Sequence, residues 1–221
     1  MLTLTAADFS PARYPVALAD DEIQLWLFPG RDGGGAHVED AWLRQRLATH
    51  VESNADDLTL RRGAHGKPYL EAPLALEFNL SHTRGATLLG LSRSQALGVD
   101  IETRHRSRPV LDLARRYFAE TEAAALASLD PGSRQAAFLQ LWSCKEAVVK
   151  ALGRGIGFGL ARVAFALDEA GAPTHMNVID TSAGSLAQWQ IVGLAPAAGH
   201  TGAAAWQGPR RAVRAFAALP P

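Results

Sequence analysis

Gly98-Val99-Asp100-Ile101-Glu102 closes a run, Ala96 to Ile101, that reads as a β-strand. Alternate residues of a strand project from one face, so Asp100 and Glu102 stand side by side. Two like charges that close repel each other. An exposed strand end tolerates them in water, whereas a hard divalent cation such as Mg²⁺ neutralises them and takes their oxygens as ligands, leaving positions for water and phosphate. The pair alone leaves both readings open.

Working outward toward the N-terminus, Glu22 to Phe28 (EIQLWLF) is a short β-type run closed by Pro29, Gly30 and a polar, glycine-rich stretch to Gly35. From about Val38 to Val51 the spacing of Ala41, Trp42, Leu47 and Val51 predicts an amphipathic helix, with Glu39 and Asp40 suiting its positive end. Leu58 to Arg62, Leu74 to Phe78 and Gly85 to Leu91 complete a series of strands. Toward the C-terminus, the polar linker Glu102 to Pro109 leads into helices at Val110 to Phe118, Glu120 to Ala127 and Ser133 to Leu152. Strands follow at Leu160 to Leu167, Gln188 to Leu194, Thr201 to Trp206 and Arg211 to Ala217. The repeated order points to an α+β fold of two subdomains, residues 1–101 and 102–221.

The chain has 221 residues, 48% of them hydrophobic, which supplies a core and excludes a disordered or fibrous protein. Lys+Arg and Asp+Glu both number 22, so no global basic field exists to drive nucleic-acid binding, and any anionic ligand has to be held by local charge. The single cysteine, Cys144, excludes an internal disulfide framework and a multi-cysteine zinc site. No stretch reaches the length of a membrane span and the first residues lack the pattern of a secretion signal. A soluble, cytoplasmic protein with no nucleic-acid or membrane partner is the expectation.

Three further segments carry chemistry. In Leu141-Trp142-Ser143-Cys144-Lys145-Glu146-Ala147-Val148-Val149-Lys150-Ala151-Leu152, residues 142, 146 and 150 are four apart on one helix face, and Lys145 neighbours Glu146. A surface i to i+4 ion pair worth about 0.5 kcal/mol or less accounts for that pattern, as does a third acidic ligand beside two ammonium groups poised for transfer of a pyrophosphate-linked group. In Phe78-Asn79-Leu80-Ser81-His82 a strand runs into a hydroxyl and an imidazole; these are phosphate donors, or a turn capped by Asn79 and Ser81. Gly66-Lys67-Pro68 is a tight turn presenting one ammonium group. Cys144 inside the helix reads as a small packed residue, and the glycines at 153, 155 and 157 follow a helix, which makes them a terminator instead of a phosphate loop.

Taken in order, HGKP (65–68), FNLSH (78–82), GVDIE (98–102) and LWSCKEAVVKALGRG (141–155) resemble the Sfp-type 4'-phosphopantetheinyl transferases of the holo-acyl-carrier-protein synthase superfamily, over roughly His65 to Phe165. The resemblance implies a pseudo-twofold pair of similar α+β subdomains with coenzyme A in the cleft between them. It implies Mg²⁺ held by Asp100, Glu102 and Glu146. Lys67, Ser81 and His82 then contact the phosphates and nucleotide of coenzyme A, and Lys145 and Lys150 meet the pyrophosphate. Asp100, Glu146 and Lys150 become the catalytic set, with Glu146 or a water it positions removing the proton of a carrier serine and Lys150 assisting adenosine 3',5'-bisphosphate as it leaves. Arg116-Tyr117-Phe118 and Glu122 match the family's R-x-F-x-x-x-E segment, which makes Glu122 a second candidate base. The partner implied is an acyl or peptidyl carrier protein, served by a monomeric enzyme and docked on Arg104-His105-Arg106-Ser107-Arg108. The stretch Gly30 to His37 departs from the family by lacking its usual basic residues, leaving Arg31 or Arg44 for the 3'-phosphate. A metal-dependent nucleotide phosphohydrolase and a non-catalytic carrier-binding homologue are the rival readings.

Overall fold

A computed structural model describes residues 1–30, 36–71, 75–105 and 107–219. The first half contains strands β1 (Leu2–Thr5), β2 (Phe9–Ala12) and β3 (Glu22–Pro29), helix α1 (Ala36–Val51), then β4 (Leu60–Arg62), β5 (Pro68–Leu70), β6 (Glu77–Thr83), β7 (Ala86–Ser92) and β8 (Leu97–Thr103). Helices α2 (Val110–Tyr117), α3 (Glu120–Ser128) and α4 (Pro131–Leu152) follow, and then β9 (Val163–Leu167), β10 (Pro173–Ile179), β11 (Trp189–Ala195), β12 (His200–Gln207) and β13 (Ala212–Ala218). The fold is α+β.

Two sheets stack face to face with a helix on each outer side. One has strand order β2-β13-β3-β7-β6 and the other β1-β11-β12-β8. Strand alternation fixes the layers. Ile23, Leu25 and Leu27 of β3 pack with Leu97, Val99 and Ile101 of β8 between the sheets, while Trp26 and Phe28 point the other way onto Leu43 and Leu47 of α1. A strand buried on both faces has no solvent face to show, which explains the consecutive apolar residues Leu25 to Phe28, while buried Gln24 is held by side-chain and backbone hydrogen bonds. Beneath the second sheet, α4 packs Phe138, Leu141, Cys144, Ala147 and Val148 against the layer that includes Ala203 and Ala205 of β12.

The element order repeats in space. β3, the long helix α1, β6 and β7 give an antiparallel ladder β3-β7-β6, and β8, the long helix α4, β11 and β12 give an antiparallel ladder β8-β12-β11. Each large sheet takes strands from both sides of residue 101, because β1 pairs in parallel with β11 and β13 pairs in parallel with β2 and β3.

α4 starts where Asp130 accepts hydrogen bonds from the Gly132 and Ser133 amides, with Pro131 in the first turn, and ends at Gly153 in the left-handed conformation (φ 66°). Its close seat on β8 depends on Gly98, where a Cβ would run into the Ala147 carbonyl and the Ala151 amide. On its other side, Lys145 is fully buried and pairs with Glu122 of α3 at 2.6 Å. Lys145 also donates to the carbonyls of Leu160 and Val163, and Glu122 accepts from the amides of Ala119 and Phe165. The pair thus fastens α3, α4 and β9 together. Burial holds the Lys145 ammonium below its usual pKa and Glu122 opposes that shift.

Sequence reading finds the core elements and misses four strands. β1 and β2 are four residues each and lie at sheet edges, and β5 and β10 belong to two-stranded ribbons. The strand expected at Leu74 to Phe78 begins at Glu77, and residues 72–74 lie outside the described set. Gly98→Ala is expected to push α4 off β8 and cost about 1–3 kcal/mol. Glu122→Ala, by stranding the Lys145 charge, is expected to cost about 3–5 kcal/mol. Urea unfolding of both variants checks this, and an unshifted midpoint in either contradicts the packing described.

Candidate functional site

β6 and β8 are edge strands of different sheets, and side chains join them. Residues 97, 99, 101 and 103 turn their backbone groups away from β12, as every second residue of an antiparallel strand does. Three alternate side chains of β6 meet them. Asn79 Oδ1 accepts from the Val99 amide (2.8 Å), Ser81 Oγ from the Ile101 amide (3.3 Å) and Thr83 Oγ1 from the Thr103 amide (3.2 Å). Two ammonium groups supply the carbonyls: Lys67 Nζ donates to Leu97 O (2.8 Å) and Lys150 Nζ to Val99 O (3.1 Å). The FNLSH segment is therefore a strand and not the capped turn that its Asn and Ser also suggested.

Where this junction meets α4 lies a cleft of about 310 Å³, lined by Ser81, His82, Asp100, Glu102, Glu146 and Lys150, with Trp142 as an apolar wall. Asp100 and Glu102 thus stand together as strand alternation predicts, and Glu146 of α4 lines the same cleft, as the family resemblance implies. Lys150 Nζ lies 2.7 Å from Asp100 Oδ1 and 2.9 Å from Ser81 Oγ, and Ser81 Oγ donates to Asp100 Oδ1 at 3.0 Å. A hydroxyl has one proton and two lone pairs, so Ser81 is fully engaged. Its work here is to hold Asp100, Lys150 and β8 in place. His82 is exposed beside it.

The electrostatics are unbalanced. Asp100 Oδ2 and Glu146 Oε1 are buried with no hydrogen-bond partner, and an orphaned buried acceptor costs about 1–3 kcal/mol. Burial, then repulsion from Asp100 and Glu102, pushes the Glu146 carboxyl up to about 7 against the pull of Lys150. Burial and Asp100 also raise Glu102, which is ion-paired to Arg108 at 2.6 Å. The two orphaned oxygens are the donor type a hard divalent cation takes. Among the described residues, however, no three His, Cys, Asp or Glu side chains form a ready cation cage; Lys150 holds Asp100 Oδ1 and Arg108 holds Glu102 Oε2.

Other sequence candidates lie elsewhere. Lys145, expected at a pyrophosphate, faces the core and is locked to Glu122; one residue from Glu146 on a helix is a rotation of about 100°, which carries it off the cleft face. Glu122 is likewise committed, to Lys145 and two backbone amides, and does not line the cleft. Lys67 sits further along the same β8 edge, its pKa lowered by burial, and does not line the cleft. Cys144 is buried, its thiol pushed up to about 12, which fits a packing role. Arg31 and Arg106 fall outside the described residues. Sequence reading passed over Arg108 as the ion-pair partner of Glu102, although it belongs to the basic stretch after β8, and over Asn79 and Thr83 as partners of β8, a strand twenty residues away. A second, polar pocket of about 600 Å³ adjoins this end of β8, lined by Thr83, Arg84, Thr103, His105, Ser107 and Arg108.

Comparison with known proteins converges on the same segments. A profile of the 4'-phosphopantetheinyl transferase superfamily matches residues 96–204, from the start of β8 into β12. The chain is 32% identical over 157 residues to the 4'-phosphopantetheinyl transferase HetI of Nostoc sp., covering 70% of this chain and 62% of that protein. It is 36% identical over 111 residues to psf-1 of Bacillus pumilus (50% and 46%) and 30% identical over 122 residues to Sfp of Bacillus subtilis (55% and 53%), both also 4'-phosphopantetheinyl transferases. The chain therefore spans about half to three-fifths of the length of these curated relatives. With β8 and α4, and so Asp100, Glu102, Glu146 and Lys150, inside the matched region, the chain belongs to the 4'-phosphopantetheinyl transferase superfamily.

Proposed function

We propose that the protein transfers the 4'-phosphopantetheine arm of coenzyme A to a serine of an acyl or peptidyl carrier protein, with Mg²⁺ as cofactor. The observation that carries this reading is the pair of buried, unpartnered oxygens on Asp100 and Glu146 in the cleft that also holds Glu102 and Lys150. Asp100, Glu102 and Glu146 would hold the metal, Glu102 by exchanging out of its pair with Arg108. Bound there, the metal supplies charge neutralisation at the diphosphate.

The chain's own groups do the rest. Glu146, or a water it positions, takes the proton from the serine hydroxyl. A bond forms between the serine oxygen and the β-phosphorus, the bond to the bridging oxygen breaks, and adenosine 3',5'-bisphosphate leaves. Lys150 turns from Asp100 to the leaving phosphate and stabilises its charge. Ser81 aims Lys150 and Asp100, and His82 meets a phosphate from the rim. Lys67 marks the nucleotide side of the β8 edge. The basic pocket formed by Arg84, His105 and Arg108 supports Arg104 to Arg108 as the docking stretch for an acidic carrier surface.

The two ladders β3-β7-β6 and β8-β12-β11, each with its long helix, support a pseudo-twofold pair of subdomains whose cleft is the active site. Because β8 opens the second ladder, the division belongs ahead of that strand instead of between residues 101 and 102. The enzyme is assigned to the cytoplasm as a monomer acting without nucleic acid or membrane; no described helix is long and apolar enough to cross a bilayer.

Incubation with coenzyme A, Mg²⁺ and candidate carriers should add the mass of one phosphopantetheine arm to a carrier. Asp100→Asn and Glu146→Gln should each slow that transfer by about 100-fold or more, and near-normal rates in either would defeat the assignment. Without divalent ions, the raised native pKa of Glu146 means that the folded state binds this proton more tightly than the unfolded state, whose value is near 4.5. The stability attached to that proton is present below about 4.5 and lost as pH rises through about 7. Thermal unfolding from pH 5 to 8 should show the wild type losing stability relative to Glu146→Gln. Parallel curves for the two proteins would contradict it.

A further inference from the structure

A third concave site lies at the opposite edge of the β1-β11-β12-β8 sheet from the carboxylates. It is a pocket of about 530 Å³ between β1, β10, β11 and the turn entering β13, within the range of small-molecule sites. Trp189, Ile191, Val192 and Trp206 form its apolar lining. Met1, Leu2 and Leu186, three of the few large hydrophobics exposed on the described surface, also line it. Hydrophobic exposure gathered around a concavity marks a binding site more often than scattered exposure does.

Beside the polar Thr174, His175 and Gln190, its charged side chains are of one sign. Arg210 and Arg211 line the pocket and no carboxylate does. Arg210 is exposed and makes no ion pair among the described residues. Arg211 spends a terminal amino group on the Asp20 carbonyl, while its Nε–H is buried with no acceptor. Both indole N–H groups are already used, Trp189 on Ala183 O (3.1 Å) and Trp206 on Pro209 O (2.9 Å), so the rings offer only apolar surface. A pocket that sets indole and aliphatic surface beside two guanidinium-bearing residues and no carboxylate is complementary to an apolar chain ending in an anion.

We propose that this pocket binds an amphipathic organic anion of the fatty-carboxylate class, tail against Trp189 and Leu186 and carboxylate on Arg210 and Arg211. The site is separated from Asp100 by the width of the sheet and stands independently of the transferase reading. The test uses the intact protein and decanoate below its micelle concentration, with Trp emission and calorimetry as readouts and decanol as the neutral control. Saturable one-to-one binding of decanoate is expected, tighter than decanol. Arg210→Glu should weaken decanoate about fivefold or more and leave decanol unchanged, and Leu186→Asp should weaken both. Absence of saturable binding, equal affinity for decanoate and decanol, or unaltered decanoate binding in Arg210→Glu would each overturn the proposal. Carrier modification measured on the same variants reports on the other site, so the two readings fail separately.

Discussion

The junction between β6 and β8 is the contact on which the rest of the site rests. Two sheet edges normally join by backbone ladder or stay apart; here Asn79, Ser81 and Thr83 substitute for the missing strand and give β8 its amide partners. Side chains are longer than a carbonyl, so the edges stand further apart than paired strands do. Into that wider seam reach the ammonium groups of Lys67 and Lys150, which satisfy β8 carbonyls. The seam is thus both the joint between the two layers and the floor of the cleft, and Ser81 serves in both at once.

α4 carries the complementary half of the design. Its 22 residues present different chemistry on each side: Ala147 over Gly98, Trp142, Glu146 and Lys150 toward the cleft, Lys145 into the core. The buried Lys145 and Glu122 pair is a costly way to fill a core, and its net contribution over an apolar pair is small. What it does supply is direction. Five polar contacts around two side chains admit one rotation of the helix about its axis, and that rotation brings Glu146 and Lys150 to β8.

Much of this was legible in the residues. Periodicity gave β3, α1, α4 and the last three strands to within a few positions, because each is long and buried on a definite face. Strand alternation placed Asp100 beside Glu102, and the family resemblance, not spacing, added Glu146. Lys145 was misplaced because adjacency in sequence was taken for adjacency on a helix surface, and the fully buried partner that claims it, Glu122, lies more than twenty residues away. The FNLSH strand was ambiguous because its polar residues serve a neighbouring strand, and no local pattern encodes that partner. β1 and β2 are too short and too exposed to carry a period.

The position of β13 has a consequence for how the chain is made. This strand, residues 212–218, fills the gap between β2 and β3, both of which are synthesised nearly two hundred residues earlier. On a ribosome the first sheet is left with an open, hydrophobic slot beside β3 throughout elongation, and the long loop needed to fill it slows closure. Nascent chains therefore wait with one backbone edge of β3, from Glu22 to Leu27, unpaired.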